Sequence, residues 1–374
     1  MQLFRLRVFQ FRNFPSEEIT LSARTNLFCG SNGQGKTNLL EAVYLLGYGK
    51  SFRTATPRDC IMHGAAECRV EGWVSQGSLE RKLGIEISAQ GKKLQVHGKE
   101  APIEDFIGNL HLLAFTNEHL HIVRGGPAER RAFLDRGMVT LYPAHVRHLA
   151  SYSRALKQRN RVLAGARDQG TPLDENLLSS WEETLVRDGA RIAAHRMDYA
   201  AQMKENLPAG LFGAEILRLR YVSMARVESG DAGQMEELLR QKLTQARDAD
   251  MRSGYTSVGP HRDELKLYIN GKSLAEFGSA GQQRSALLSL YFAQMEIHRR
   301  THGFYPLFLV DDAEAELDDH RLKSFLAFLS ERTQTILTTA RTTLIASMPP
   351  GTRRFEIHEG TARAVEPPTP AECR

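Results

Sequence analysis

Residues Gly30 to Thr37 read G-S-N-G-Q-G-K-T and satisfy the phosphate-loop pattern G-x-x-x-x-G-K-[ST]. Gly30, Gly33 and Gly35 let the backbone, with Ser31, Asn32 and Gln34 between them, turn its N–H groups inward around phosphate oxygens. In this pattern Lys36 reaches the β- and γ-phosphates of a nucleotide such as ATP, and the Thr37 hydroxyl takes a place on Mg²⁺. Such a metal needs a carboxylate as well. Leu307 to Val310 is an apolar run that ends in two acids, Asp311 and Asp312. Asp311 is placed to hold Mg²⁺ through water, and Asp312 to orient or deprotonate an attacking water.

Those residues require an α/β framework. Thr25 to Cys29 is an apolar strand entering the loop, and an apolar helix from about Thr37 to Leu46 leaves it. The helix, with Asn38 in its first turn, aims its positive end at the bound anion. Phe4, Leu6 and Val8 alternate as one face of a half-buried strand. From Cys68 to Val96 the period stays at two, broken at Gly77 and Gly91, which predicts an antiparallel meander. After Pro127 the period turns helical: Tyr152, Leu156, Arg159 and Leu163, then Leu178, Trp181, Leu185 and Ile192. A turn at Gly170-Thr171-Pro172 makes these two helices an antiparallel hairpin. Strands resume at Ile216 to Val222 and around Leu265 to Ile269, with Asn270-Gly271 as a hairpin turn. A helix from about Gln282 to His298 precedes the acidic strand.

A chain of 374 residues, 41% hydrophobic and 25% charged, has material for a core and for an inserted lobe. Its longest apolar runs fall far short of the ~20 residues of a membrane helix. The arginine-interrupted N-terminus has no signal-peptide pattern, so a soluble, cytoplasmic protein is expected. Cys29, Cys60, Cys68 and Cys373 show no C-x-x-C spacing, hence no zinc or redox motif. The net charge of +5 is unevenly placed. Between Arg124 and Arg167 ten Lys and Arg face only Glu129 and Asp135. Arg147, Arg154 and Arg161 recur every seven residues with Lys157 alongside, a helical stripe able to track DNA phosphates without reading bases. A merely solvated helix face is the plainer alternative, and the scarcity of acids favours DNA.

Gly278-Ser279-Ala280-Gly281-Gln282 opens a helix just ahead of the acidic strand and resembles the ABC signature. An isolated G-S-x-G would mean only a capping serine. The Thr37–Asp311 separation of 274 residues is too long for a simple transporter ATPase and too short for an extended coiled coil. Further stretches extend the likeness: F-R-N-F at Phe11 to Phe14, K-S-F-R-T at Lys50 to Thr54, and G-P-A-E-R-R-A-F-L-D at Gly126 to Asp135. To these are added L-K-Q-R-N at Leu156 to Asn160 and G-P-H-R-D-E-L at Gly259 to Leu265. Together they resemble the RecF family of bacterial recombination-mediator ATPases, from the N-terminus to about residue 340.

The resemblance implies an ABC-type head, a mixed sheet carrying the P-loop plus an antiparallel β subdomain, with an inserted helical arm. The head would comprise 1–123 and 251–374 and the arm 124–250. It implies that Ser279, Gly281 and Gln282 of one chain close on the γ-phosphate held by another, in an ATP-dependent homodimer. It places Asp318 in a D-loop and Glu118 at the Q-loop position, beside the catalytic Lys36 and Asp312. It also implies slow, DNA-stimulated ATP hydrolysis, action on double-stranded and gapped DNA, and RecA loading with RecR and RecO. The chain departs from the pattern at three places: Ala315 where the D-loop has Ser, Thr338-Thr339 where transporters carry a histidine, and Asp312 where most relatives have Glu. A membrane-transporter ATPase subunit and a small-molecule P-loop kinase share the phosphate loop. The first leaves the basic arm idle and the second leaves Ser279 idle.

Overall fold

In the computed structural model the described residues are 1–169, 174–208, 216–223, 231–312, 319–341, 344–345 and 348–365, without the side chains of 117–118, 169 and 319–320. They fall into two units, Met1–His119 with His298–Arg374, and Leu120–Ile297.

The first unit holds two six-stranded sheets. One is antiparallel: β1 (Gln2–Phe11), β2 (Phe14–Thr20), β4 (Glu67–Gln76), β5 (Leu79–Ser88), β6 (Gly91–Val96) and β7 (Lys99–Glu100), in the order β2-β1-β4-β5-β6-β7. The meander expected between Cys68 and Val96 is β4-β5-β6. The alternation in β1 differs from its sequence pattern. The register shifts between Leu3 and Arg5, so Leu3, Leu6 and Val8 are buried while Phe4 stays partly exposed. A bulge offsets the period-two pattern by one residue.

The second sheet is built from β3 (Thr25–Cys29), β8 (Leu112–Phe115), β12 (Leu307–Val310), β13 (Thr335–Thr339), β14 (Arg353–His358) and β15 (Thr361–Val365). Its order is β15-β14-β3-β13-β12-β8, parallel throughout except for the edge strand β15. β3, β8, β12 and β13 are buried at every position. In β8 and β12 this burial reads as an unbroken apolar run, L-L-A-F and L-F-L-V. This unit also carries the helices α1 (Lys36–Tyr48), the single turn α2 (Ile103–Phe106) and, after β12, Asp319–Arg332.

The second unit contains α3 (His121–Arg124), α4 (Pro127–Leu141), α5 (Ala144–Gln169), α6 (Glu175–Glu205), β9 (Leu217–Val222) and α7 (Ala232–Ser253). It continues with β10 (Glu264–Ile269), β11 (Lys272–Ser273), α8 (Leu274–Phe277) and most of α9 (Ala280–His302), so Asp319–Arg332 is α10. Asn270 and Gly271 both adopt positive φ between β10 and β11, as a two-residue hairpin turn demands.

α5 and α6 run antiparallel: His148 meets Asp188, whereas Arg159, further along α5, meets Glu182, earlier on α6. The expected hairpin is in fact a three-helix bundle. α7 supplies Met235, Leu239 and Leu243 to a core shared with Tyr152, Leu185 and Ala193. Its three buried apolar residues are sparse in a 22-residue helix, so its period is faint in the sequence. Its ends are explicit: Asp231 Oδ1 accepts the N–H groups of Gly233 and Gln234, and Gly254 at φ +74° closes the last turn.

Residues 251–297, expected with the head, fall in the second unit. Arg130 grips Glu264, Arg131 donates to the Asp263 carbonyl, and the Phe133 and Tyr291 rings meet edge to face. Two stretches far apart in sequence are thereby one packing unit. Among the described residues no helix is long and apolar enough to cross a membrane.

Candidate nucleotide-binding site

β3 delivers the chain to Gly30, where φ is +147° and a Cβ would lie 2.4 Å from the Ile357 carbonyl oxygen. At Gly35, φ is +114° and a Cβ would lie 2.7–2.8 Å from the Asn13 and Phe14 side chains. Both positions exclude any side chain, by conformation and by space. α1 then begins with no side-chain cap and no acid in its first turn, so its N-terminal field is unopposed. The buried Lys36 ammonium folds back over the loop and donates to the Gly30 carbonyl at 2.7 Å and the Ser31 carbonyl at 2.9 Å.

The loop meets the acidic strand end directly. Thr37 Oγ1 donates to Asp311 Oδ1 at 2.9 Å, across 274 residues of sequence. Thr338 Oγ1, at the end of β13, donates to the same oxygen at 2.7 Å and accepts the Asp312 N–H at 3.0 Å. Burial pushes the Asp311 carboxyl up from its usual range, and these two hydroxyls oppose the shift. Asp312 has φ +49°, so the chain turns sharply as it leaves β12. The pair Thr37–Asp311 is a hard-oxygen donor set that fits Mg²⁺, which binds through one or two carboxylates together with substrate phosphate.

A second layer fixes the loop. Asn13 Nδ2 donates to the Gln34 carbonyl at 2.9 Å, and Asn38 Nδ2 to Asn13 Oδ1 at 2.8 Å. Arg53 donates to Asn38 Oδ1 at 2.6 Å. One turn further along α1, the fully buried Glu41 receives a two-pronged bond from Arg12 (2.8 and 2.6 Å) and the Ser51 hydroxyl. The F-R-N-F and K-S-F-R-T stretches therefore converge on α1. The resemblance to the RecF family singles out both stretches without assigning them a place, and marks Thr338 only as standing where transporters carry a histidine.

The signature region lies in the second unit. Ser279 Oγ accepts the Gln282 N–H at 3.2 Å, and Gln282 Oε1 accepts the Ser279 N–H at 2.9 Å. This reciprocal capping box opens α9 with Ser279 exposed and Gly281 in the first turn. The Glu118 side chain and Asp318 lie outside the described residues.

On α5, Arg147, Arg154, Lys157 and Arg161 are exposed and make no hydrogen bond or ion pair among the described residues. Arg159 differs from its basic neighbours. It is fully buried and bonds Asp250 at 2.7 Å and Glu182 at 2.9 Å. A buried charge demands such partners. With Arg130 held by Glu264 as well, the positive charge of this segment is smaller in space than along the sequence.

The model of the RecF/RecN/SMC N-terminal domain matches residues 2–362. The RecF protein of Streptococcus thermophilus, a "DNA replication and repair protein", is 33% identical over 96% of this chain and 98% of its own length. That of Myxococcus xanthus is 35% identical over 99% of this chain and all of its own. The chain belongs to the RecF family. Among solved structures, a RecF–ATPrS complex described as a recombination mediator of the RecFOR pathway superposes with a TM-score of 0.89. It is 30% identical, over 98% of each chain. A RecF–ATP complex superposes at 0.86, with 30% identity over 97% of this chain and 99% of its own. An SMC head bound to a domain of ScpA, at 15% identity and 0.56, shares the fold. The α/β architecture is that of RecF and SMC heads.

Proposed function

We propose that this chain is an ATP-hydrolysing DNA-binding protein of DNA replication and recombinational repair, in which ATP closes two copies around DNA and hydrolysis releases them. The observation that carries the reading is the Thr37–Asp311 contact, which brings the phosphate loop and the acidic strand end into one site. The loop's N–H groups and the α1 N-terminus hold the phosphates, and the Lys36 ammonium exchanges its carbonyl partners for β- and γ-phosphate oxygens. Mg²⁺ held by Thr37 and Asp311 would supply charge neutralisation between those phosphates. Asp312 accepts the proton of the water that attacks the γ-phosphorus, and ADP leaves with the broken bond's electrons. Its shorter reach than the usual Glu accords with slow turnover.

Ser279, Gly281 and the first turn of α9 meet the γ-phosphate bound by a second copy, while Asp318 and Glu118 complete that shared site. Arg147, Arg154, Lys157 and Arg161 hold duplex or gapped DNA. RecR and RecO are the expected partners in loading RecA, because the RecF neighbours are described within the RecFOR pathway. Family membership and the exposed basic face of α5 favour this reading over a transporter subunit or a small-molecule kinase.

The shared site is tested by mixing. Lys36→Arg puts a planar fork where a compact ammonium is needed, and Ser279→Arg blocks the closing surface. Each variant alone is expected to lose hydrolysis. Their mixture contains dimers with one intact loop facing one intact signature, so partial ATPase should return. If mixing restores nothing while Ser279→Arg alone still dimerises with ATP, the two-chain site is wrong.

A further inference from the structure

His111, His298 and His302 form a cluster that the nucleotide chemistry does not use. All three belong to the first unit. His111 immediately precedes β8, and His298 and His302 stand one turn apart at the end of α9, just before the segment that enters β12. The Leu307 N–H donates to the His111 carbonyl at 3.0 Å, so the cluster sits where β8 and β12 begin. Asp311 lies at the opposite end of β12. The imidazole centroids are 4.7–4.8 Å apart, and one ring nitrogen from each lies within 4.8 Å of the others. Among the described residues this is the one group of three or more metal-binding side chains.

The hydrogen bonds decide what the cluster can bind. His111 Nε2 lies 2.8 Å from the Gly108 carbonyl oxygen, and His298 Nδ1 lies 2.9 Å from the Phe304 carbonyl oxygen. A carbonyl can only accept, so both outer nitrogens carry hydrogen. In the neutral rings, His111 Nδ1 and His298 Nε2 then each bear a lone pair. These two nitrogens face each other at 2.6 Å. Two lone pairs at that distance repel unless a cation stands between them. A metal ion is such a cation, and the third imidazole, His302, has a ring nitrogen within 4.8 Å of both.

We propose that His111, His298 and His302 bind a single Zn²⁺ ion, as a structural site that ties the start of β8 to the end of α9. Metal-bound imidazoles typically donate their other N–H to a backbone carbonyl, as both of these rings do, which fixes tautomer and ring orientation. His298 and His302, four residues apart, share one helix face, a spacing used by zinc-binding helices. Zn–N bonds of about 2.0–2.1 Å in tetrahedral geometry set two nitrogens roughly 3.4 Å apart, so the facing pair must open by under about 1 Å. The Phe304 ring packs against all three imidazoles and walls one side. Its chain neighbours Gly303 and Tyr305 line an open cavity of about 490 Å³ with Met1, and a water would complete the tetrahedral set.

The test uses the full-length protein stripped of metal by a chelator, free of nucleotide and in excess Mg²⁺, which prefers oxygen donors. Co²⁺ is titrated in as a spectroscopic stand-in for Zn²⁺. One Co²⁺ per chain with intense tetrahedral visible bands is expected, displaced by Zn²⁺, and Zn²⁺ should raise the Tm. His298→Ala should abolish the bands. His302→Gln alters a partly buried residue in the last turn of a helix, a milder change than His298→Ala at a buried position, so it should keep the fold even where His298→Ala does not. It should weaken Co²⁺ by more than the roughly 10–100-fold that loss of an outer-shell partner costs. A wild-type titration without those bands would overturn the proposal. So would a folded His302→Gln protein that binds Co²⁺ as wild type does.

Discussion

Asp311 and Asp312 are adjacent in sequence and opposite in circumstance. Asp311 is buried and tethered by the hydroxyls of Thr37 and Thr338, which suits a group that holds a charge in place. Asp312 is partly exposed, and its backbone N–H, not its carboxylate, is what Thr338 holds. Its φ of +49° also limits what can replace it, because Asn tolerates that conformation better than other side chains. Asp312→Asn therefore removes the base while keeping the backbone. ATP binding should persist and turnover should fall roughly 10²–10⁴-fold, the usual contribution of a positioned base. Saturating-ATP kinetics check the rate, and sedimentation checks the expected longer life of the ATP-bound dimer. Wild-type turnover would transfer the role to another acid, with Glu118 the next candidate.

α5 carries two chemistries on two faces. Tyr152, Ala155, Arg159 and Leu163 point into the bundle, and Arg147, Arg154, Lys157 and Arg161 point out. The inward arginine is neutralised by Asp250 and Glu182, which leaves the outward ones to any anion that arrives. Replacing Arg154, Lys157 and Arg161 with Ala keeps a strong helix former at each position, so α5 should hold. Duplex affinity should fall with little dependence on sequence. The slope of log affinity against log salt should shrink by about 0.9 for each engaged phosphate contact, or about 2.7 for all three. ATPase without DNA should be unchanged. An unaltered slope in a salt titration would make this an ordinary solvated face.

At the scale of the whole molecule, several buried and partly buried histidines share one pH dependence. Burial pushes His111, His195 and His261 down to about 4 and His298 to about 3. Unfolding returns each to about 6.5, where it binds a proton more readily than in the folded chain. Their contribution is thus fully present above pH 6.5 and is lost as pH falls from there towards 4 and 3. Asp135 adds the same sign lower down. Burial opposes its charge, but the Arg196 fork and a His145 hydrogen bond hold it at about 2, so its share is lost below the ordinary Asp range. With metal chelated, the Tm should therefore begin to fall near pH 6.5, well above the carboxylate range. A Tm flat from pH 7.5 to 4.5 by circular dichroism would contradict this.

The residues alone determined what depends on a few consecutive backbone positions. Glycines that must take positive φ, a lysine and threonine at a helix start, and an apolar strand ending in acids are readable because their constraint is local. The Asn270-Gly271 turn and the β4-β5-β6 meander are readable for the same reason, and so is the likeness to RecF. What only the tertiary structure decided involves partners far along the chain. Arg159 falls on the apolar period of its helix, but nothing in that period names its partner until Asp250, on a helix whose own period is faint, arrives beside it. Thr338 stands only as a departure from a family pattern until β13 sets its hydroxyl against Asp311. His111 and His298, 187 residues apart, become a cluster only when β8 and α9 meet. Burial and pairing are properties of the assembled neighbourhood, and no spacing within one segment encodes them.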